Sequence, residues 1–319
     1  MANSIYFTKI NSIFSKFPKI KVATTLGFAV AILSAALSAL PDVITKPIVD
    51  PGTNGIVPTE PLLVVLIMYL MTGIFFTPLT KLQKSSAKIK KSSLTILIIY
   101  GMALASSTLV FSFGLQETSA TNAAILTNSE TVFTVLIGMV ICKECLAKKE
   151  LIPLTLIVVG AIFLPIGSDM YEQRFAFSEF VFGDILILIS GFIYCLCTFI
   201  AKRASTIKTT SVVQIMSFSG AAFIFILMLV FQTDFTIDQS TFSLLSFVGI
   251  AGIGGSVLFF VMAVRLIGAV RTILIFSSTT IFGVLYSGIY LLEPISLFHV
   301  SSVALVIFGL HQLRYRLAA

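Results

Sequence analysis

One long apolar stretch, residues 118–141, is long enough to cross a bilayer and yet carries polar side chains that could bind a ligand. Its candidate binding residues are Asn122, Thr127, Asn128, Glu130 and Thr134. On a helix, Thr127, Glu130 and Thr134 share one face. A carboxylate at the bilayer centre costs roughly 2.5–3.5 kcal/mol on insertion scales, so we expect Glu130 to face a cavity, a proton or a ligand. The alternative is a Glu130 that hydrogen-bonds between helices and only holds them together.

Four further residues could contribute to the same site. Tyr194 could stack on a ligand or hydrogen-bond to it, although an ordinary packing role explains this residue equally well. Ser278 and Thr279 belong to a run of hydroxyl side chains within another apolar stretch. Asp42 follows Pro41 near the end of the first apolar stretch. If the helix continues through Pro41, Asp42 is a second acid within the membrane, and if the helix ends earlier, Asp42 is a solvated loop acid.

The residues typical of catalytic and metal sites do not cluster in this sequence. Cys142 and Cys145 form a C-x-x-C pair without a nearby histidine or second pair, and four cysteines do not make a disulfide framework. His299 and His311 lie near opposite ends of the last apolar stretch, without a neighbouring acid or cysteine. We therefore expect no cofactor, no bound metal and no enzymatic activity.

The composition is typical of a membrane protein without a separate soluble domain. Hydrophobic residues make up 57% and charged residues 11% of the 319 residues, whereas soluble domains carry about 25% charged residues. A membrane-spanning helix needs about 20 apolar residues. The ten apolar stretches that we interpret as spans are residues 23–46, 62–80, 94–114, 118–141, 151–167, 183–201, 210–231, 244–264, 269–291 and 296–313.

The basic residues are distributed as expected for cytoplasmic loops. With ten spans, 19 of the 21 Lys and Arg residues fall on one side of the membrane, and the positive-inside rule makes that side cytoplasmic. Both termini are then cytoplasmic, in a multi-pass protein of the cell membrane that is surrounded by lipid. This distribution explains the net charge of +7 as a topology signal, so we expect no nucleic-acid partner.

The two halves of the chain resemble each other. Several identical residues recur 149 positions later, as Glu144 does in Glu293, and Ser34 recurs 156 positions later as Ser190. An odd number of spans per copy puts the two copies in opposite orientations. We therefore predict an all-α integral membrane protein with ten transmembrane helices in two inverted five-helix repeats. Its expected units are a cytoplasmic N-terminal segment 1–22, a first repeat 23–174 and a second repeat 175–319.

Short motifs recur at corresponding ends of the predicted spans. In chain order they are residues 115–124, 143–144, 183–184, 201–203, 262–265, 268–269 and 292–293. Together they resemble the EamA-type family of the drug/metabolite transporter superfamily, although Thr131 and Thr280 stand where that family often has proline, and the chain contains no Trp. The resemblance implies ten helices, cytoplasmic termini and alternating-access movement of small metabolites. It also implies a central cavity lined mainly by the first, third, fourth, sixth, eighth and ninth spans.

These observations predict a secondary transporter of a small polar metabolite, such as an amino acid or a related zwitterionic or cationic solute. Export is the direction that the resemblance favours. Glu130 would bind a solute ammonium group or carry a coupling proton, opposite Ser278 and Thr279, the latter 149 residues after Glu130. The alternatives are a channel-like or non-transporting membrane protein and, with less support, an integral-membrane enzyme. The identity of the substrate and the oligomeric state have no signature in the sequence.

Overall fold

A computed structural model describes this chain in several segments. They are residues 19–50, 59–82, 90–118, 123, 126–127, 129–140, 152, 155–156, 159–160, 181–293 and 297–318. Every regular element within these segments is helical. The predicted segment 1–22 and the predicted span 151–167 lie mostly outside them, so the predicted unit boundaries stay a prediction.

The described residues form a series of helices that follow the predicted apolar stretches. In chain order they are α1 (Lys19–Ile44), α2 (Lys46–Val49), α3 (Pro61–Leu82), α4 (Lys91–Gln116), α5 (Ser129–Val140), α6 (Val181–Ala204), α7 (Thr209–Phe231), α8 (Gln239–Val248), the π-helical segment π1 (Gly249–Gly255), α9 (Ser256–Ile267), α10 (Ala269–Phe276), α11 (Thr279–Tyr286), the π-helical segment π2 (Ser287–Leu291) and α12 (Leu297–Ala318). The helices pack against one another in a bundle. Large apolar side chains, such as those of Val230, Phe231 and Phe247, are exposed on the outside of this bundle.

Seven helical stretches of the described chain are long and apolar enough to cross a membrane. They are Thr24–Val49, Pro61–Leu82, Lys91–Gln116, Phe182–Ala204, Thr209–Phe231, Gln239–Ile267 and Ala269–Leu291. Helix α5 is described over 12 residues, and within α12 the apolar part is Val300–Gly309. The predicted all-helical membrane architecture is therefore confirmed, whereas the count of ten spans stays a prediction.

The first helix continues through its proline, which decides between the two alternatives for Asp42. Helix α1 includes Pro41 and Asp42 and ends at Ile44. The backbone N–H and the hydroxyl of Thr45 both donate to the Pro41 carbonyl, at 3.0 and 2.7 Å. The proline ring packs against Gly252 in π1, where a Cβ would lie 2.6 Å from two ring carbons. Asp42 is consequently a helical residue within a predicted span, and only glycine fits opposite the ring.

Two predicted spans contain a turn in their described part, which differs from the continuous helices expected over 118–141 and 269–291. In the first, Thr127 is a turn residue, and the Glu130 N–H donates to the Thr127 carbonyl at 3.1 Å. In the second, Ser277 and Ser278 form a turn between α10 and α11. The second turn lies 150 and 151 positions after Thr127, close to the repeat spacing of 149.

Hydroxyl side chains satisfy the carbonyls that the second interruption frees. The Ser277 hydroxyl donates to the Leu274 carbonyl at 2.7 Å, and the Thr279 hydroxyl donates to the Phe276 carbonyl at 2.6 Å. Within a membrane, backbone groups outside the helical ladder need such partners, and short hydroxyl side chains can supply them. The run of hydroxyl residues at 277–280 therefore has a structural role that the sequence did not suggest.

The same kind of helix contact occurs twice in the bundle, and each time it joins a helix of the first half to a helix of the second half. Helix α1 packs against α9, and α6 packs against α4. At the first contact the Ser34 hydroxyl donates to the Ser256 carbonyl, and at the second the Ser107 hydroxyl donates to the Ser190 carbonyl, both at 2.8 Å. Ser34 and Ser190 are 156 residues apart, and Ser107 and Ser256 are 149 apart. The two spacings of the sequence repeat thus reappear as a pair of corresponding contacts.

Candidate functional site

A cavity lies in the middle of the bundle between α1, α4, α6, π1 and α9, beside the two interrupted spans. It encloses about 850 Å³, counting the space at its mouth. Two carboxyl groups line it, those of Glu130 and Asp42. Among the described residues that line the cavity there is no Lys, Arg or His. The cavity therefore offers negative or neutral polar groups to a ligand and suits a cation or a proton better than an anion.

Glu130 is held at the start of a helix by a neighbouring span. It lies in the first turn of α5 and is 3% exposed. The Thr198 hydroxyl of α6 donates to Glu130 Oε1 at 3.0 Å. The amino end of a helix also favours a negative charge. Sequence reasoning missed Thr198, because nothing in the local pattern of α6 indicates which helix its hydroxyl faces.

Asp42 lines the cavity from α1, half-buried, next to Pro41. The nearest basic residue along the helix, Lys46, is directed elsewhere. Its Nζ lies 2.9 Å from Asp50 Oδ2 and donates to the Leu115 carbonyl at 2.9 Å. Asp42 thus has no ion-pair or hydrogen-bond partner within the described part of the chain.

Tyrosines and a threonine add hydroxyl groups to the wall. Tyr100, Thr108 and Tyr194 line the cavity. The hydroxyls of Tyr69 and Thr108 are 3.0 Å apart. Sequence reasoning named Tyr194 but missed Tyr100 and Thr108, although their spacing of eight residues along α4 is the spacing of a single helix face.

The predicted site residues fall into three groups in the structure. Glu130, Thr127, Tyr194 and Asp42 line the cavity. Thr134, Ser278 and Thr279 do not line the cavity. Thr134 is fully buried beside Cys195, and Ser278 and Thr279 are buried within the second interrupted span. Asn122 and Asn128 lie outside the described residues, as do Cys142 and Cys145.

The residues that line the cavity correspond to one another at the two repeat spacings. At 156 residues the lining pairs are Ser38 with Tyr194, Pro41 with Cys197, and Asp42 with Thr198. At 149 residues they are Leu104 with Ile253, Thr108 with Val257, Phe111 with Phe260, and Thr127 with Phe276. Corresponding positions of the two halves thus line one cavity.

Comparison with known proteins assigns the chain to a family. The family model of the EamA-like transporters matches residues 25–165 and 181–313. The chain belongs to this family. EamA proteins are members of the drug/metabolite transporter superfamily, so the resemblance stated from the motifs is confirmed. This EamA protein is accordingly a multi-pass membrane protein of a transporter family, which implies a role other than enzymatic catalysis.

Relatives and solved structures agree with this EamA membership. An uncharacterized transporter of Methanothermobacter thermautotrophicus is 28% identical over 246 residues, which are 72% of this chain and 71% of the relative. An uncharacterized transporter of Archaeoglobus fulgidus is 30% identical over 105 residues, 32% of this chain and 35% of that relative. A solved crystal structure matches 91% of this chain and 97% of its own chain, with a TM-score of 0.68 and 17% sequence identity. That likeness concerns the fold alone.

Proposed function

We propose that this EamA protein is a secondary transporter that binds the ammonium group of a small cationic or zwitterionic metabolite at Glu130. The observation that carries the proposal is the charge of the cavity: two carboxyl groups and no basic side chain among its described lining residues. Amino acids and related amines are the expected solutes.

Alternating access is the expected mechanism. Two inverted five-helix repeats, with ten spans in all, would let one mouth of the cavity close as the other opens. The paired lining positions and the two Ser contacts at 149 and 156 residues support this arrangement. The positive-inside rule supports cytoplasmic termini, and labelling of single cysteines at the two ends with an impermeant reagent tests this. Labelling of either end from outside would contradict it. Export is the proposed direction of net movement.

Glu130 is also the expected carrier of a coupling proton. Without a bound solute, the Glu130 carboxyl accepts a hydrogen bond from the Thr198 hydroxyl, and no cationic side chain is among the described residues that line the cavity. A protonated acid avoids an unpaired charge there, and a bound ammonium would replace the proton. Exchange of one for the other would couple solute movement to a proton gradient.

Substitution Glu130→Gln in proteoliposomes tests the proposal. Saturable uptake and counterflow of labelled amines or amino acids are expected for the wild-type protein and are expected to be lost in the variant. Asp184→Asn is a matched control, because Asp184 also accepts a hydrogen bond from a threonine, Thr118, at 3.1 Å, but does not line the cavity. The control should transport normally.

Two results would contradict the proposal. Wild-type counterflow in a folded Glu130→Gln protein would remove Glu130 from the transport step. An ohmic current without counterflow would favour a channel over a carrier.

A further inference from the structure

The two acids of the cavity both belong to the first half of the chain, and threonines stand at the corresponding positions of the second half. Asp42 corresponds to Thr198 at 156 residues, and Glu130 corresponds to Thr279 at 149 residues. Helix α5 packs beside α6, where Thr198 donates to Glu130, and α11 packs beside α1, which carries Asp42. The two acids therefore belong to two different helix pairs that correspond to each other in the repeat.

Contacts at one end of the bundle locate the two acids along its axis. There the Lys46 Nζ donates to the Leu115 carbonyl at 2.9 Å, and the Thr118 hydroxyl donates to Asp184 at 3.1 Å. The ends of α1 and α4 therefore meet the beginning of α6. Asp42 lies four residues before Lys46, about 6 Å from this end, and Thr198 lies fourteen residues after Asp184, about 21 Å from it, at 1.5 Å per residue. The α carbons of Asp42 and Thr198 thus differ by about 15 Å in depth.

Much of the cavity wall is apolar or aromatic. Leu104, Val257, Phe260 and Tyr194 line the cavity together with the two acids. Aromatic faces attract ammonium groups and also pack against methylene chains. The cavity therefore presents two separated acids and an apolar, aromatic surface.

We infer that the solute is a linear diamine or polyamine, with one ammonium group at Glu130 and the other at Asp42. This inference rests on the proposed function, since it assigns the solute class of the same transport site. The ammonium group of a monoamine or an amino acid would pair with one acid and leave the other without a positively charged partner among the described residues that line the cavity. A dication would pair with both, and its methylene chain would lie along the apolar wall. Single charged hydrogen bonds of this kind give affinity differences of about 10- to 150-fold.

Competition by matched amines in proteoliposomes tests the inference. A series of α,ω-diamines of increasing length competes for uptake against primary monoamines with the same number of carbons. We expect one diamine length to inhibit at least about tenfold more strongly than its monoamine, as one charged hydrogen bond predicts. Asp42→Asn should remove this advantage, so that the diamine and its monoamine inhibit equally, whereas Asp184→Asn should keep it.

A second variant keeps the test independent of folding defects in Asp42→Asn. Asp42→Glu retains the acid and extends the side chain by one methylene, so the preferred diamine should become shorter. Equal inhibition by diamines and monoamines, with uptake that still depends on Glu130, would overturn the diamine inference and leave the proposed function standing. Absence of any Glu130-dependent uptake of amines or amino acids would overturn both.

Discussion

Thr198→Val tests the contact that holds Glu130 in the cavity. Valine has nearly the shape of threonine and replaces the hydroxyl, which donates to Glu130 Oε1 at 3.0 Å, by a methyl group. Thr198 is 2% exposed, so water cannot readily supply the missing donor. The substitution therefore removes one hydrogen bond and changes the packing of α6 little.

The effect on solute affinity follows from the charge of Glu130 in the two states. A hydrogen bond to a charged group contributes about 1.5–3 kcal/mol and one between neutral groups about 0.5–1.5 kcal/mol. In the proposed mechanism Glu130 is neutral in the empty carrier and ionised when the ammonium is bound, so only the difference of about 1–1.5 kcal/mol changes affinity. At about 1.4 kcal/mol per factor of ten, Thr198→Val should weaken solute binding roughly five- to twelve-fold.

Saturation kinetics of amine uptake in proteoliposomes measure this change. We expect KM to rise by that factor, while the maximal rate stays within about twofold, because the lost interaction concerns binding. Thr198→Ser keeps the hydroxyl and should behave as the wild-type protein. An unchanged KM in Thr198→Val would show that the hydrogen bond from Thr198 does not stabilise Glu130 in the ligand-bound state. Equal defects in Thr198→Ser and Thr198→Val would assign the effect to packing.

Further predictions concern the close contacts and the backbone of the bundle. Gly252→Ala should lower stability by about 1–3 kcal/mol through overpacking, because the new Cβ would lie 2.6 Å from the Pro41 ring. Gly268→Ala should cost about 1–3 kcal/mol through backbone strain, since Gly268 has φ 88° and ψ 166° and nothing lies within 4 Å of the added Cβ. Thermal unfolding in detergent measures both, and wild-type stability of Gly268→Ala would contradict the strain argument. Ser107→Ala removes the bond to the Ser190 carbonyl, and Ser34→Ala removes the bond to the Ser256 carbonyl together with a 3.3 Å contact to the Ser256 hydroxyl. Each variant loses contacts between helices of the two halves and should cost about 0.6 kcal/mol. Their double variant should show the sum within about 0.5 kcal/mol, because the two contacts share no residue; a markedly larger loss would indicate coupling between them.

The helical membrane architecture could be predicted from local composition. A run of about 20 apolar residues specifies a spanning helix wherever it occurs, because backbone groups in lipid must be satisfied within the segment. The family could be recognised for a similar reason, since its motifs are short and adjacent in the chain. The depth of Glu130 followed from its position in the middle of such a run.

The interruptions near Thr127 and at Ser277 could not be predicted in this way. Neither position has a proline or a glycine, which are the usual signals for a break in a helix. The turn at Ser277 is possible because hydroxyls of the same segment satisfy the Leu274 and Phe276 carbonyls. From composition alone, these hydroxyl groups can be interpreted equally well as ligand-binding groups and as structural groups.

The sequence by itself determined a multi-pass helical protein with a duplicated pattern and one acid deep in a span, because apolar length and residue spacing are properties of the chain. Tertiary structure decided which polar groups meet. Thr198 faces Glu130 because α6 packs beside α5. Helix α1 continues through Pro41 to Asp42, and the absence of a side chain at Gly252 leaves room for the Pro41 ring. Such contacts join residues 68 and more than 200 positions apart, so the distance between them depends on how the helices pack and not on the pattern within any one of them.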